Sequence, residues 1–172
     1  ITLNNLKIFH TAGLGILSQY SSNLSMLHVL VGPNKAKGRF LSGHDDGLHF
    51  SNCKGKIVVE DCEFEGLMDD PINVHGTSVR IIKRISDNTL LCQFMEKQSV
   101  GLTWARPGET AGFIENTGMS TIGTGLVKSF TKRTNETFEV TFDSSIPATI
   151  TEGDALENLT WVPDVSITNS RF

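Results

Sequence analysis

The sequence lacks long apolar runs, blocks of like charge and paired cysteine motifs. No apolar stretch approaches the roughly 18 to 20 residues that a membrane-spanning helix requires, so we expect no membrane span. The net charge is -4 with both signs scattered along the chain, so neither nucleic acid nor an anionic membrane is expected as a partner. The three cysteines show no metal-ligand spacing and leave an odd one out, which favours buried free thiols over a disulfide framework.

A helical pattern is missing as well. The apolar runs are short, rich in β-branched residues, and interrupted by Gly, Asn or Asp before a third helical turn could form. Sixteen glycines in 172 residues suit a turn-rich fold. We therefore predict an all-β protein.

Four short segments share one pattern, in which two alternating apolar residues are followed by a polar bend and two further apolar residues. The apolar side chains would point into a shared interior, and an Asn or Asp at the bend could bond to backbone groups. This pattern is typical of the coils of a parallel β-helix. We predict about four coils, over residues 1–77 and 161–172, with a Gly/Pro/Lys-rich loop at 32–40.

Residues 78–160 have a different character. Their alternating segments are short and are separated by turn signals. Because surface loops accept insertions, we predict a small antiparallel β-barrel inserted into a turn of the β-helix. The predicted strands cover residues 78–85, 88–95, 110–116, 125–132 and 137–143.

One pattern occurs twice, once in the second predicted coil and once in the third. Residues 44–50 correspond to residues 68–74, and each position is displaced by 24. If one copy lies above the other, their aspartate pairs are one strand spacing apart, roughly 4.8 Å. Asp46 and Asp70 precede Gly47 and Pro71, which can mark a bend, so both aspartates can lie before the strand. The sequence predicts an acidic patch.

Stacked carboxylates can perform glycoside hydrolysis. Like charges within about 5 to 9 Å repel one another, so that one group keeps a proton while another stays ionised. A glycosidase needs an acid for the leaving oxygen and a base for water, and a separation of roughly 6.5 to 9.5 Å leads to inversion. The candidate catalytic residues are Asp46, Asp69 and Asp70.

The opposite strand face supplies candidate substrate-binding residues. His49 and Asn73 are 24 residues apart and His75 follows, so all three would line one outer face and could bond sugar hydroxyls. His44 and Asp45 complete this set. A structural role is the competing interpretation, because Asp before Gly or Pro is ordinary turn chemistry.

The segments HDDG and MDDPINVHG resemble the NTDG and DD arrangement of polygalacturonases, glycoside hydrolase family 28, which are right-handed parallel β-helices. The Gly-His-Gly and Arg-Ile-Lys elements of that family are missing here. The whole span from Gly38 to Gly76, with a barrel-like insertion next, is more similar to glycoside hydrolase family 110, the α-1,3-galactosidases of gut and marine bacteria. The resemblance implies a right-handed parallel β-helix with an inserted barrel.

The resemblance also implies an activity, namely the removal of terminal α-1,3-linked galactose from glycans, with inversion and without a metal or other cofactor. By analogy Asp69 is the general acid, while Asp46 and Asp70 position and deprotonate water. A periplasmic or extracellular location is implied. Because Ile1 is not a methionine and the last residues follow a strand pattern, we expect a piece of a longer protein, whose activity would require the missing coils.

Two alternatives stay open. A calcium-dependent polysaccharide lyase could bind Ca²⁺ through several aspartate oxygens, and would need a base for which Arg39, Lys54 and Lys56 are loosely placed candidates. A non-catalytic glycan-binding β-helix would keep its function when the three candidate aspartates are replaced by asparagine.

Overall fold

The protein is all-β, as predicted. The computed structural model describes residues 1–172, which form sixteen strands, three short 3-10 helices and no α-helix. No helix has the length and apolarity needed to cross a bilayer. The strands are β1 (Thr2–Asn4), β2 (Lys7–Ile8), β3 (Ile16–Gln19), β4 (Ser22–Leu27), β5 (Leu30–Val31), β6 (Leu48–Ser51), β7 (Lys54–Glu60), β8 (Glu63–Phe64), β9 (Ile72–His75), β10 (Val79–Ser86), β11 (Thr89–Phe94), β12 (Thr110–Glu115), β13 (Ser120–Lys132), β14 (Thr137–Phe142), β15 (Ala155–Asn158) and β16 (Asp164–Thr168), and the 3-10 helices are Lys35–Lys37, Lys97–Ser99 and Leu159–Trp161.

The chain divides into two compact units. Unit 1 comprises Ile1–His75 and Trp161–Phe172, and unit 2 comprises Gly76–Thr160. Unit 1 contains only parallel strand pairs and unit 2 only antiparallel ones, so each unit has its own architecture.

Unit 1 consists of three small parallel sheets, with the orders β1-β4-β7-β16, β2-β5-β8 and β3-β6-β9. From β1 to β9 the chain visits the three sheets in turn, and each return adds a parallel neighbour to the previous strand of that sheet. In the third sheet, Leu48 pairs with Ile72 and His49 with Asn73. This register equals the displacement of 24 residues that the sequence predicts.

Apolar side chains from all three sheets of unit 1 meet in one buried core. Along β4, Leu24 and Met26 are each 1% exposed, whereas their neighbour Ser25 is less buried, as expected for alternating strand faces. The other fully buried members are Val29, Val31, Leu48, Phe50, Cys53, Ile57, Val59, Cys62 and Phe64.

The chain bends between the first and second sheets at residues in the left-handed conformation. Asn5, His28, Asp61 and Asn169 have φ angles of 56°, 53°, 54° and 48°. Asn, Asp and His occupy this region far more readily than β-branched residues, because their short polar side chains can bond locally. The backbone conformation at each bend therefore explains why the shared pattern has a polar residue at this position.

All three cysteines are buried free thiols, as predicted. Burial raises the pKa of the Cys92 thiol, and it also raises that of Cys53, where a hydrogen bond with the Ser21 backbone opposes it. Because the thiolate is the nucleophilic form, neither residue is suited to nucleophilic catalysis.

Unit 2 is a closed barrel with the strand order β10-β11-β14-β13-β12-β15, which confirms the predicted antiparallel barrel. Five strands lie where the sequence predicts, although β13 begins five residues earlier than expected. The sixth strand, β15, was not predicted as a strand, and it closes the barrel by pairing with β10 and β12. Its inward residue Asn158 interrupts the apolar alternation, because its amide donates to the Trp104 carbonyl (3.0 Å) and to Glu109 Oε2 (2.8 Å) inside the barrel.

Candidate functional site

Two aspartates stand just before neighbouring strands of the third sheet of unit 1. Asp46 precedes β6 and Asp70 precedes β9, with Gly47 and Pro71 between each aspartate and its strand. The backbone N–H of Gly47 donates to the Asp70 carbonyl (2.9 Å) and that of Leu48 to the Pro71 carbonyl (3.0 Å), so the two bends are stacked in register. The aspartates therefore lie at the end of the sheet, where the alternation of inward and outward side chains along the strands does not apply to them.

Asp46, Asp69 and Asp70 form a carboxylate cluster, in which one oxygen from each side chain lies within 4.8 Å of the others. Asp46 is buried, with 4% exposure, whereas Asp69 and Asp70 are exposed. Asp69 Oδ1 also accepts a hydrogen bond from the backbone N–H of Asp70 (3.0 Å). The cluster thus combines one shielded carboxylate with two that solvent or a ligand can reach.

Two histidines extend the cluster. His49 Nδ1 is 2.6 Å from Asp46 Oδ2, and His49 Nε2 is 2.8 Å from His75 Nε2. The two imidazole rings meet edge to face, with centroids 4.8 Å apart. His49 is nearly buried and His75 is exposed, so the chain of contacts runs from the shielded carboxylate to the surface.

The remaining predicted site residues are arranged differently. His44 Nδ1 contacts Asp45 Oδ1 at 2.5 Å, and Asp45 Oδ2 points toward Gly13 on the preceding turn of the chain, outside the carboxylate cluster. Asn73 is half-buried and lies opposite His49 in the strand register. The structure brings Asp46, Asp69, Asp70, His49 and His75 together and leaves His44 and Asp45 as a separate pair.

Exposed apolar side chains flank the segment that carries Asp69, and the sequence analysis did not single them out. Phe40 is 89% exposed and Met68 is 61% exposed. The backbone of Phe40 packs against Gly66, where a Cβ atom would lie 2.5 Å from the Phe40 carbonyl oxygen. Ligand sites commonly combine such apolar surfaces with a few polar groups. The signal in the sequence was an apolar Phe-Leu pair at the end of an otherwise polar loop.

The same carboxylate cluster has the oxygen donors that a hard cation prefers. Ca²⁺ takes oxygen ligands at about 2.3 to 2.6 Å, so two oxygens on opposite sides of the ion are about 5 Å apart. The separations in the cluster are compatible with that distance. The geometry therefore allows either acid-base chemistry or cation binding.

Comparison with known proteins identifies relatives of both units. Along its whole length the chain is similar to bacterial α-1,3-galactosidases. Residues 89–156, within unit 2, also match the family model described as GLAA-B beta-barrel domain II. These matches support the resemblance to α-1,3-galactosidases.

The relatives are much longer than this chain. Alpha-1,3-galactosidase B of Bacteroides thetaiotaomicron is 48% identical over 170 residues, which are 99% of this chain and 28% of that protein. Alpha-1,3-galactosidase A of Bacteroides fragilis (strain YCH46) is 39% identical over 173 residues, covering 100% of this chain and 29% of the relative. Alpha-1,3-galactosidase B of Akkermansia muciniphila is 35% identical over 169 residues, which are 98% of this chain and 21% of that protein. The chain thus spans less than a third of the length of these relatives.

Proposed function

We propose that the protein contributes the acid-base site of an exo-α-1,3-galactosidase of glycoside hydrolase family 110, acting on galactose-terminated glycans outside the cytoplasm. The observation that carries this proposal is the carboxylate cluster, with three carboxylate oxygens within 4.8 Å of one another. The names of the relatives supply the substrate class, and the cluster supplies groups that can protonate a leaving oxygen and activate water.

We propose further that unit 1 is part of a right-handed parallel β-helix of the polygalacturonase type. The sequential visits of the chain to three parallel sheets support this architecture. In this proposal residues 1–77 and 161–172 belong to the β-helix, and residues 78–160 are the inserted barrel. The stacked bends before β6 and β9 then serve to bring carboxylates from two coils together.

In the proposed reaction each of the three aspartates has a catalytic role. Asp69, which is exposed, gives its proton to the glycosidic oxygen as the bond from that oxygen to the anomeric carbon breaks. Asp46 and Asp70 hold a water molecule, and one of them takes its proton as the water oxygen bonds to the anomeric carbon. Oδ2 of Asp46 lies 2.6 Å from His49 Nδ1, which leaves Oδ1 for the water.

The stereochemical course is part of the proposal. Inversion is what the resemblance to family 110 implies. The carboxylate oxygens of the cluster lie within 4.8 Å of one another, however. This distance is closer to the roughly 5 to 5.5 Å between the two catalytic carboxyl groups of retaining enzymes than to the roughly 6.5 to 9.5 Å of inverting enzymes. Retention is therefore the second candidate. The anomer of galactose that is released first distinguishes them, because inversion of an α-galactoside releases β-galactose.

The test uses the full-length protein, because the chain covers only part of its relatives. A panel of α-galactosides is incubated with the enzyme, and the released anomer is followed by NMR. We expect galactose release from α-1,3-linked substrates, and we expect Asp46→Asn, Asp69→Asn and Asp70→Asn each to lower kcat by about 10² to 10⁴. The matched control is Asp164→Asn, at an exposed aspartate of unit 1. Absence of release, or full activity of all three variants, would contradict the proposal.

A calcium-dependent lyase is the other candidate that the cluster geometry favours. It would require calcium for activity and would form an unsaturated sugar that absorbs in the ultraviolet. Of the candidate bases, Lys54 lies over the Trp161 ring with Nζ 4.2 Å from its centroid, which occupies it in a cation-π contact. Calcium titration with absorbance detection separates the two chemistries.

A further inference from the structure

We propose that His75 is a positioning residue, which acts through His49 to hold the Asp46 carboxylate in the orientation that the reaction requires. This inference rests on the proposed function, since it concerns the same carboxylate cluster. It assigns His49 and His75 a role other than binding sugar hydroxyls.

The contacts form one continuous series. Asp46 Oδ2 lies 2.6 Å from His49 Nδ1, and His49 Nε2 lies 2.8 Å from His75 Nε2. The exposed fraction of the side chain is 6% for Asp46 and 11% for His49, while His75 is exposed. Both nitrogens of His49 are thus engaged, and its position is determined from both sides.

For a neutral His49 the hydrogen positions follow from these distances. Two electronegative atoms 2.6 to 2.8 Å apart require a hydrogen between them. When Asp46 is ionised it can only accept, so His49 Nδ1 must carry the hydrogen. A neutral His49 then has an unprotonated Nε2, which must accept from His75 Nε2–H. Asp46 and His75 therefore favour the same His49 tautomer, and the hydrogen bond from His75 restrains the ring from the side opposite Asp46.

Loss of the His75 donor would leave His49 held by Asp46 alone, so that the imidazole ring could tilt about this single contact. The Asp46 carboxylate would turn with the ring, and Oδ1 would no longer be aimed at the water. A misplacement of about 1 Å near reacting groups can cost about 10²-fold in rate.

The variants that test this role differ in where they place a donor. A glutamine amide reaches the position of the histidine Nε2, whereas an asparagine amide reaches only that of Nδ1. In the full-length protein we expect His75→Gln to retain kcat within about threefold, and His75→Asn and His75→Leu to lose about 10- to 100-fold, all with KM nearly unchanged. Thermal unfolding of each variant verifies that it is folded.

Three kinetic results would overturn the proposal. A raised KM with unchanged kcat would show that His75 binds substrate. An equal loss of kcat in all three variants would show that the imidazole itself is needed, for instance to carry protons. Full activity of all three variants would show that the contact has no role.

Nitrogen NMR of the imidazole rings tests the tautomer without relying on activity. We expect His49 to be protonated at Nδ1 in the wild-type protein, in His75→Gln and in His75→Leu, with the Nε2 signal displaced only in His75→Leu, which lacks the donor. His49 protonated only at Nε2 in the wild type would overturn the inference. If the expected tautomers are seen but no galactoside is hydrolysed, the proposed function fails while the hydrogen-bonded series stands.

Discussion

Asp154 is the most deeply buried charged residue of unit 2, with 5% exposure. Its carboxylate accepts hydrogen bonds from the backbone N–H of Thr151 (2.8 Å), the Thr151 hydroxyl (3.3 Å) and the backbone N–H of Asn116 (3.0 Å). Burial on its own would raise the pKa of Asp154, but these three donors outweigh it and hold the pKa below the ordinary value of 3.8. The ionised side chain therefore stabilises the barrel.

We predict that Asp154→Asn lowers the free energy of unfolding at neutral pH by about 1 to 3 kcal/mol, because an amide replaces a charged acceptor of three hydrogen bonds. Since the folded pKa is the lower one, the stabilisation is present above pH 3.8 and disappears as the pH falls through the folded pKa. Urea unfolding should show a larger difference from wild type at pH 7 than at pH 3. Asp143→Asn, at an exposed aspartate, is the control, and equal stability of Asp154→Asn at pH 7 would contradict the prediction.

Individual side chains of the site were only partly predictable. The displacement of 24 residues places Asp46 beside Asp70, because a shared register follows from equal spacing. Spacing does not determine which of two adjacent aspartates faces the cluster. Asp45 turns toward Gly13, whereas Asp69 and Asp70 both contribute to the cluster. The contact between the His49 and His75 nitrogens depends on side-chain torsions that no spacing reveals.

Stacked bends impose a close backbone approach on the third sheet of unit 1. A Cβ on Gly47 would lie 2.7 Å from the Pro71 carbonyl oxygen and 2.8 Å from Phe64 Cδ1. A Cβ on Gly15 would lie 2.4 Å from the Gly47 carbonyl oxygen. The three bends therefore form a column without space for side chains at the two glycines.

We predict that Gly47→Ala and Gly15→Ala each lower stability by about 1 to 3 kcal/mol, since the added methyl meets neighbouring backbone. Gly76→Ala is the control, because its nearest neighbour would be the Glu157 side chain at 3.7 Å. Thermal unfolding of the three variants measures the effect. Wild-type stability of Gly47→Ala would mean that the column can expand.

The left-handed bends give a second prediction for the elements of unit 1. Asp61 has a φ of 54°, and its Oδ2 lies 3.6 Å from His28 Nε2 at the surface. We expect Asp61→Val to cost about 1 to 2 kcal/mol more than Asp61→Asn, because both replace the carboxylate but only valine is disfavoured in this conformation. Denaturant unfolding compares the two variants directly, and equal stabilities would show that the backbone at the bend can relax.

Elements were predicted best where apolar alternation was regular. The five barrel strands with this alternation lie at the expected places. The polar, glycine-containing start of β13 and the whole of β15 lie outside the predicted strands, and in β15 the inward Asn158 serves a buried hydrogen-bond network that alternation cannot reveal.

In the chain as a whole, unit 2 forms a barrel that is closed by pairing between two of its own strands, β10 and β15. The first residues of β10 pair with the first residues of β15, as in Val79 with Leu156, so the first and last strands of the unit lie side by side. Its core is also drawn from its own strands, and Leu90, Phe138 and Val140 are at most 1% exposed. A segment whose ends are adjacent can be inserted into another fold without stretching it.

We therefore predict that residues 76–160, produced alone, fold into the barrel and unfold cooperatively. Leu90→Ala should lower the stability of this excised unit by about 2 to 5 kcal/mol, because it leaves a cavity in the core. Leu126→Ala should change it little, because Leu126 is 50% exposed. Circular dichroism during heating measures both variants. If the excised unit shows no cooperative transition, or if the two variants are equally stable, the closed barrel would depend on the rest of the chain, and the inserted segment would not be a domain in its own right.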